Sequence, residues 1–325
     1  MIASAVVSRS EPEARPITVA LVNNMPDAAF RDTEEQFRRA LCSGPDDGEG
    51  IALELYTIAQ IPRSDRTRAL IESRYRDLRE LWSEPPDALI VTGTEPKQAQ
   101  LVYEPYWPQL ARLLQWASAN VPTVLLSCLA AHAGVLVFDG IERVRRSSKC
   151  CGVFHGRVCD ASDPLAEGLP DTVAVPHSRA NNIPEAALLR AGYRIVVGSG
   201  ARGEGWSVAA RERGDSLFVL CQGHPEYSTL SLLREYRRDV RRCLLAGAAC
   251  EYPRLPHGYL SAEAIKTLTA FARRATGGRE DPTTLWSEFP YDQVAGSVQN
   301  TWAGGSATLY ANWLATARLA CAVPA

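Results

Sequence analysis

The stretch Val121-Pro-Thr-Val-Leu-Leu-Ser-Cys128 is followed directly by Leu129-Ala-Ala-His-Ala-Gly134. The first segment is a short apolar run typical of a buried strand, and the small residues after it indicate the start of a helix. Cys128 therefore lies where a strand passes into a helix, whose N-terminus favours a thiolate over a thiol. The position suits a nucleophile, although a buried structural thiol is the commoner fate of a cysteine taken alone.

Strands and helices alternate on both sides of this stretch. Further strands are predicted at Ile17–Val22, Ile51–Ile58, Asp87–Gly93 and Ser216–Cys221, and helices at 33–41, 64–82, 106–119, 228–245 and 306–320. Thr33 with Gln36 resembles a capping box, and Ser64 is a plausible N-cap. This alternation predicts an α/β fold in which helices cover both faces of a mostly parallel sheet.

The remaining segments have weaker signals. Three β-rich pieces, at 152–158, 193–197 and 206–210, are interpreted as an antiparallel edge of the same sheet. Residues 250–290 are rich in Pro and Gly and are expected to be looser. Residues 1–14 are polar and irregular, which indicates a mobile arm. We interpret residues 15–325 as a single domain.

The composition narrows the functional class. The 325 residues are 46% hydrophobic and carry a net charge of −2, with no basic face that would suggest a nucleic-acid partner. No apolar run is long enough for a membrane span, and the N-terminus lacks a signal-peptide pattern, so a cytoplasmic protein is expected. The odd number of cysteines, nine, in a long chain without an export signal argues against a disulfide framework. The absence of a C-x-x-C pair argues against a zinc ribbon or a thioredoxin-like motif.

A His-x-Glu pair follows the last predicted strand, in Gly223-His-Pro-Glu-Tyr227. Two residues apart in extended chain, His224 and Glu226 point to the same side, as a base and its orienting carboxylate would. The alternative is a turn with a solvated carboxylate, since such pairs also occur by chance. If Cys128 is a nucleophile, the backbone amides of Leu129 and Gly93 could form an oxyanion hole.

Several motifs in order along the chain resemble the homoserine O-acyltransferase family, which has a class I glutamine amidotransferase-like (flavodoxin-like) fold. The resemblance covers about 15–314. Besides Cys128 and Gly223–Tyr227, the matching segments are Asn23-Asn-Met-Pro26, Glu34-Glu-Gln-Phe37, Val91-Thr-Gly93, Tyr106-Trp-Pro-Gln109, Lys149 with Gly152-Val153, Pro176-His-Ser-Arg179 and Asn312-Trp-Leu314.

The resemblance implies a ping-pong transfer from an acyl-coenzyme A co-substrate to homoserine, with no bound cofactor. Cys128 would carry the acyl group, His224 would be the base and acid, and Glu226 its orienter. Four other positions match substrate-binding residues of the family: Lys149, Ser178, Arg179 and Arg238. Alternatives stay open for three of them, because Arg238 and Lys149 could be solvated charges and Arg179 a structural ion pair. Family members are commonly dimers, so a homodimer is expected.

Several residues depart from the family pattern. The loop Asp27–Asp32 replaces one that carries lysines, and Arg31 is the substitute we consider. His132 stands where the family has glutamine, and it either faces the site or packs on the helix flank. Lys97 occupies the position linked to acyl choice, and its ammonium would attract a succinyl carboxylate. The alternative is a solvated loop lysine without a role.

The basic cluster Arg143, Arg145 and Arg146 is another candidate for contact with a ligand. Its guanidinium groups could meet coenzyme A phosphates. We interpret the three residues instead as a solvated basic face.

Together these features predict a homoserine O-succinyltransferase of methionine biosynthesis. Within the class, acetyl transfer or a serine-directed paralogue remains open. In another class, the same Cys, His and Glu set would serve a glutamine amidotransferase-like hydrolase, although the Gly-x-Cys-x-Gly elbow is missing. A catalytically silent homologue is a third alternative.

Overall fold

The computed structural model describes residues 15–43, 50–200, 203–246, 251–278 and 280–322. Residues 1–14, predicted to be a mobile arm, lie outside these ranges. The strands are β1 (Ile17–Val22), β2 (Ile51–Tyr56), β3 (Ala88–Val91), β4 (Thr123–Ser127), β5 (Val144–Arg157), β6 (Thr172–Asn182), β7 (Arg194–Val197), β8 (Val208–Arg213) and β9 (Ser216–Cys221).

The helices follow in the same order along the chain. They are α1 (Asp27–Cys42), α2 (Asp65–Arg74), α3 (Glu80–Ser83), α4 (Trp107–Asn120), α5 (Leu129–Asp139), α6 (Glu185–Arg190), α7 (Ser231–Ala246), α8 (Ala262–Thr276), α9 (Pro282–Ser287), α10 (Tyr291–Ala295) and α11 (Ala303–Ala322). Among the described residues, none of these helices is both long and apolar enough to cross a bilayer.

Seven strands form one sheet in the order β2-β1-β3-β4-β9-β8-β7. The first five are parallel, and β8 and β7 continue the sheet in antiparallel fashion. The predicted mostly parallel sheet with an antiparallel edge is therefore confirmed. β3 and β4 are buried along their whole length, as expected for central strands covered on both faces.

Alternate residues of the strands belong to two hydrophobic clusters on opposite faces of the sheet. In β1, Ala20 and Val22 pack with helices α4 and α5, whereas Val19 and Leu21 pack with α1 and α11. This is the two-residue periodicity of an extended strand. A third hydrophobic cluster joins helices α7, α8, α9 and α10 beyond the sheet. The segment that follows β9 contacts both this cluster and β6, because Tyr227 belongs to the cluster and the His224 amide donates to the Pro176 carbonyl.

Two sequence-based predictions of strands and loops are wrong. The segment 152–158 is not a strand of the main sheet, because β5 pairs with β6 in a separate two-stranded antiparallel sheet. Only its end meets the predicted edge, where Val158 forms an isolated antiparallel bridge with Val197 of β7. Gly152, with φ 143°, allows the close approach of His257, since a Cβ there would lie 2.3 Å from the His257 carbonyl oxygen. The described part of 250–290 is not loose either, because it contains α8 and α9.

Helix boundaries differ at two predicted caps. Ser64 does cap α2, but the helix ends at Arg74 rather than Trp82, because the Arg76 amide donates to the Leu55 carbonyl of β2 (2.8 Å). The predicted capping box at Thr33 is also wrong, since α1 already begins at Asp27.

Candidate active site

Cys128 lies on the sharp turn between β4 and α5. Its φ of 53° and ψ of −108° make it the one non-glycine residue with positive φ in the described ranges. A conformation of this kind costs on the order of 1–3 kcal/mol. The Cys128 amide donates to the Cys221 carbonyl (2.7 Å), which ties the turn to β9. The half-buried side chain thus stands at the carboxyl edge of the sheet, where α/β folds bind ligands.

The pairing of β4 with β9 brings His224 to this turn. Ser127 lies opposite Cys221 in the parallel register, so both strands end at the same level. Beyond β9 the His224 amide donates to the Pro176 carbonyl of β6 (2.7 Å), which fixes the backbone of the histidine. The structure therefore brings together Cys128 and His224, whose side chains interact within a largely buried site.

Glu226 lies behind the imidazole, away from the thiol. Its Oε1 accepts hydrogen bonds from His224 Nδ1 (2.8 Å) and from the Ser127 hydroxyl (3.0 Å). A carboxylate acceptor assigns the proton to Nδ1 and leaves Nε2 to exchange a proton with a reacting group. Ser127, which the sequence reasoning did not single out, therefore helps to hold the orienting carboxylate.

Tyr227 holds the other side of the imidazole. Its ring stacks on His224 with centroids 4.1 Å apart and planes 18° from parallel. The Tyr227 carbonyl accepts from Trp302 Nε1 (2.8 Å), and its hydroxyl donates to Glu235 of α7. Tyr227 was also missed as a positioning residue, although it directly follows the predicted His-x-Glu pair.

The charges around His224 determine its protonation. Burial by itself would lower the pKa of His224, but the negative charges of Cys128 and Glu226, with side-chain hydrogen bonds to both, raise it well above the ordinary value. An imidazolium at His224 therefore suits this site. Such a group can give a proton to a leaving thiolate and then take one from an attacking hydroxyl.

The backbone beside Cys128 can accommodate an oxyanion. Gly93 follows β3, and a Cβ at this glycine would lie 3.0 Å from the Leu129 amide nitrogen. Leu129 is the first residue of α5, so its amide has no partner within the helix. Among the described residues, neither the Gly93 nor the Leu129 amide donates a hydrogen bond. The two amides predicted to form the oxyanion hole are neighbours, and their role stays a prediction.

Three of the predicted substrate-binding side chains converge on two carboxylates of α7. Lys149 Nζ lies 2.6 Å from Asp239 and 3.6 Å from Glu235, and Arg238 lies 3.1 Å from Asp239. The Ser178 hydroxyl donates to Glu235. Burial raises the pKa of Glu235, but the nearby cations outweigh it, so the pKa is lowered. The sequence reasoning missed both carboxylates, although they stand among the arginines of one predicted helix.

Arg179 is buried beside this cluster. It donates to His177 Nδ1 (3.2 Å), to the Asn181 carbonyl (3.3 Å) and to the Glu204 carbonyl. Burial lowers the pKa of Arg179, while the charge of Cys128 is one of the influences that raise it. Within the ranges described, no carboxylate forms an ion pair with Arg179, so the structural ion pair considered from the sequence is not observed.

Lys97 lies on a cleft of about 780 Å³ beside the site, whose wall also includes Tyr227 and Arg238. This volume is in the range of small-molecule sites. The Lys97 side chain is exposed, while its backbone amide donates to Glu104 Oε1 (2.5 Å). Cys128 does not line the cleft, but Tyr227 joins the cleft to the imidazole that Cys128 contacts.

Two residues at positions that depart from the family pattern do not line the cleft. His132 is buried and its Nε2 donates to Gln222 Oε1 (3.1 Å), and burial lowers the pKa of His132 to about 3. The histidine is thus neutral and packed on the helix flank. Arg31 is exposed and does not line the cleft. In the described part of the chain, no three His, Cys, Asp or Glu side chains are grouped to hold a metal ion.

The chain has a class I glutamine amidotransferase-like fold. Its mostly parallel sheet has a cysteine on the turn after a central strand and a His-x-Glu pair after the neighbouring strand. A solved glutamine amidotransferase from Methylobacillus flagellatus has the same fold, with a TM-score of 0.50 and 16% identity, over 93% of this chain and 95% of its own.

The sequence comparisons are more specific. The family model for homoserine O-succinyltransferase matches residues 4–319. The homoserine O-succinyltransferase of Rhodopseudomonas palustris is 42% identical over 306 residues, 93% of this chain and 88% of its own. That of Bradyrhizobium japonicum is 44% identical over 274 residues, 84% of this chain and 82% of its own. The chain belongs to the homoserine O-succinyltransferase family, which confirms the resemblance described above.

Proposed function

We propose that this protein transfers a succinyl group from succinyl-coenzyme A to the hydroxyl of homoserine through a thioester on Cys128. One observation carries the mechanism: His224 lies between Cys128 and Glu226, with Nδ1 2.8 Å from the Glu226 carboxylate. Family membership supports the choice of succinyl-coenzyme A and homoserine as substrates. Both fit a site that contains a nucleophile, a base, and positively and negatively charged side chains.

In the first step, the Cys128 thiolate attacks the carbonyl carbon of succinyl-coenzyme A. The developing oxyanion accepts hydrogen bonds from the amides of Leu129 and Gly93. The bond between the carbonyl carbon and the coenzyme A sulfur then breaks. The imidazolium of His224 gives its proton to the departing thiolate, so that coenzyme A leaves as a thiol and His224 becomes neutral.

In the second step, Nε2 of neutral His224 takes the hydroxyl proton of homoserine. The oxygen attacks the thioester carbonyl, and the same two amides stabilise the second oxyanion. The bond to the Cys128 sulfur breaks, which releases O-succinylhomoserine and restores the thiolate and the imidazolium. Glu226 keeps Nδ1 protonated throughout and stabilises the charged ring.

The charged cluster on α7 suits a zwitterionic amino acid. Arg238 would bind the homoserine carboxylate, because a guanidinium can bind a carboxylate through two hydrogen bonds. Lys149 and Ser178 would complete this pocket, and the carboxylates of Glu235 and Asp239 would meet the homoserine ammonium group. The contacts of these four charged side chains with one another compensate every charge of the cluster.

The donor would bind in the adjoining cleft, with buried Arg179 and cleft-side Lys97 on either side of the reacting group. We further propose a place in methionine biosynthesis, which follows from the succinyl transfer. A single acyltransferase domain over residues 15–325, a homodimer and a cytoplasmic location stay predictions, and light scattering of the purified protein would check the dimer.

Intact-mass measurement tests the proposal directly. Incubation with succinyl-coenzyme A should add one succinyl group, and Cys128→Ala should abolish the adduct while Cys159→Ala, at an exposed thiol, retains it. Addition of homoserine should then discharge the adduct and release O-succinylhomoserine. An adduct only with acetyl-coenzyme A, or discharge by serine but not homoserine, would correct the substrates. No adduct, with release of ammonia from glutamine, would replace transfer by hydrolysis.

A further inference from the structure

Arg143 is not part of a solvated basic face. Of the three clustered arginines, Arg145 is exposed, but Arg143 and Arg146 are half-buried. The Nε atoms of both are fully buried and have no hydrogen-bond partner among the described residues. The solvated interpretation made from the sequence is therefore wrong for two of the three side chains.

The hydrogen bonds of Arg143 place its guanidinium against residues 94–99, the cleft loop, whose first four residues line the cleft. Its terminal nitrogen donates to the carbonyls of Gln98 (3.4 Å) and Ala99 (3.2 Å), which follow Lys97 on the cleft loop. Burial lowers the pKa of Arg143, whereas the charges of Tyr106, Glu104 and Cys128 raise it. Tyr106 and Glu104 line the cleft, so Arg143 lies within electrostatic reach of both the cleft wall and the reacting sulfur.

The positive charge of Arg143 is not neutralised by an ion pair with any carboxylate in the described ranges. Arginines elsewhere on the cleft are neutralised, as Arg242 is by a two-point contact with Glu95 (2.7 and 3.0 Å). A half-buried guanidinium that bonds only to neutral carbonyls retains donors for an anion. Because water is partly excluded there, an anionic partner would be bound more strongly than at the surface.

We propose that Arg143 binds the terminal carboxylate of the succinyl group, both in succinyl-coenzyme A and in the Cys128 thioester, and so selects succinyl over neutral acyl groups. The inference rests on the proposed function and deepens it. The succinyl carboxylate is separated from the reacting carbonyl by only two methylene groups. Arg143 contacts the loop that begins directly after Gly93, the glycine that lies against Leu129 beside Cys128. Coenzyme A phosphates, in contrast, lie at the far end of the long pantetheine arm.

This assignment gives Lys97 a smaller role than Arg143 in binding the succinyl carboxylate. Lys97 is on the same loop, but its ammonium is exposed and screened by water, which limits an ion pair to a small effect. Arg143 also anchors that loop through its two carbonyl contacts. The planar guanidinium can therefore hold the loop with one nitrogen and the acyl carboxylate with the remaining donors.

Two acyl donors of equal chain length test the proposal. Butyryl-coenzyme A has the four-carbon chain of the succinyl donor without the carboxylate. In Arg143→Ala, kcat/KM for Cys128 acylation should fall about 10- to 100-fold with succinyl-coenzyme A, the usual range for a charge-assisted hydrogen bond. With butyryl-coenzyme A it should change by less than about threefold. Arg143→Lys should recover part of the succinyl rate, and Arg145→Ala should match the wild type.

The outcomes separate this inference from the proposed function. An equal loss with both donors would indicate a phosphate contact or a general disturbance, and either would overturn the role in acyl selection. Unchanged rates with both donors, in a variant whose melting temperature matches the wild type, would overturn it as well. If the wild-type protein forms no Cys128 adduct with any acyl-coenzyme A, the proposed function itself fails.

Discussion

Replacement of Gly93 by alanine tests the oxyanion site. The new methyl group would lie 3.0 Å from the Leu129 amide nitrogen and 3.0 Å from the Leu129 Cβ. An oxyanion acceptor sits about 2.7–3.1 Å from such an amide, so the methyl group competes for the same space. Gly93 does not have a left-handed backbone, and alanine should therefore be tolerated without added backbone strain.

The expected loss follows from this geometry. Removal of one oxyanion donor typically lowers kcat by about 10²–10³, or about 2.7–4 kcal/mol of transition-state stabilisation. A shift of a few tenths of an ångström in Leu129 can relieve the close contact with the methyl group. We therefore expect a decrease in kcat at the lower limit of this range, about 100-fold. The KM values for both substrates should stay within about threefold, since neither ground state carries the oxyanion.

The assay separates the oxyanion from the nucleophile. Single-turnover acylation by succinyl-coenzyme A, followed by rapid quenching and intact mass, measures the step that forms an oxyanion. Alkylation of Cys128 by iodoacetamide forms none, so its rate should change by less than about twofold. Gly296→Ala is a matched control, because no atom lies within 4 Å of a Cβ at that glycine.

Two results would refute the reasoning. If Gly93→Ala acylates within threefold of the wild-type rate, the backbone of Gly93 and Leu129 does not form the oxyanion site. If alkylation slows as much as acylation does, the methyl group displaces Cys128 instead of the substrate oxygen.

Other parts of the structure lead to three further predictions. Glu226→Gln should lower the pKa of His224, because the variant removes a negative charge beside the ring. The protonated ring stabilises the fold fully below the ordinary histidine pKa, and this stabilisation is lost as the pH rises through the pKa of the folded state, so the variant should lose it at a lower pH than the wild type. An NMR titration of His224 that is unchanged in the variant would contradict this. Tyr227→Phe keeps the stacked ring but loses the hydrogen bond to α7, so KM for homoserine should rise severalfold with acylation unchanged; slower acylation would show that the hydroxyl positions the imidazole. Asp139→Ala removes the carboxylate that pairs with Arg211 (2.9 Å), and it should lower the free energy of unfolding by about 2 kcal/mol in urea titrations. A loss below about 0.5 kcal/mol would mean that solvent screens this ion pair.

Local patterns were enough to predict the turn that carries Cys128. A buried strand, a cysteine and a small-residue helix are adjacent in sequence, so β4, Cys128 and α5 could be recognised together. The contact between Ser127 and Glu226 could not be predicted in this way, because it spans 99 residues and depends on β9 lying beside β4. Sequence spacing alone does not say which strands will be neighbours in a sheet.

The missed helix α8 had a usable signal. Ser261 caps it by accepting from the Ala264 amide (3.1 Å), and buried Ala264, Leu268 and Phe271 follow at helical spacing. The Pro and Gly residues around this segment suggested a loop and obscured that pattern. The β5–β6 pair was harder to foresee, since β6 contains Pro176 and the polar residues His177, Ser178 and Arg179, which weaken the sequence pattern of a strand.

The positive φ of Cys128 has a consequence beyond the reaction. Stability alone would favour glycine at this turn, because glycine adopts such a backbone without the steric penalty of a side chain. Under the proposed mechanism, the cysteine is retained in this strained conformation for its chemistry, at a cost in the stability of the fold. In a homologue that no longer needs the reaction, we expect glycine to replace Cys128, and the fold should then be more stable.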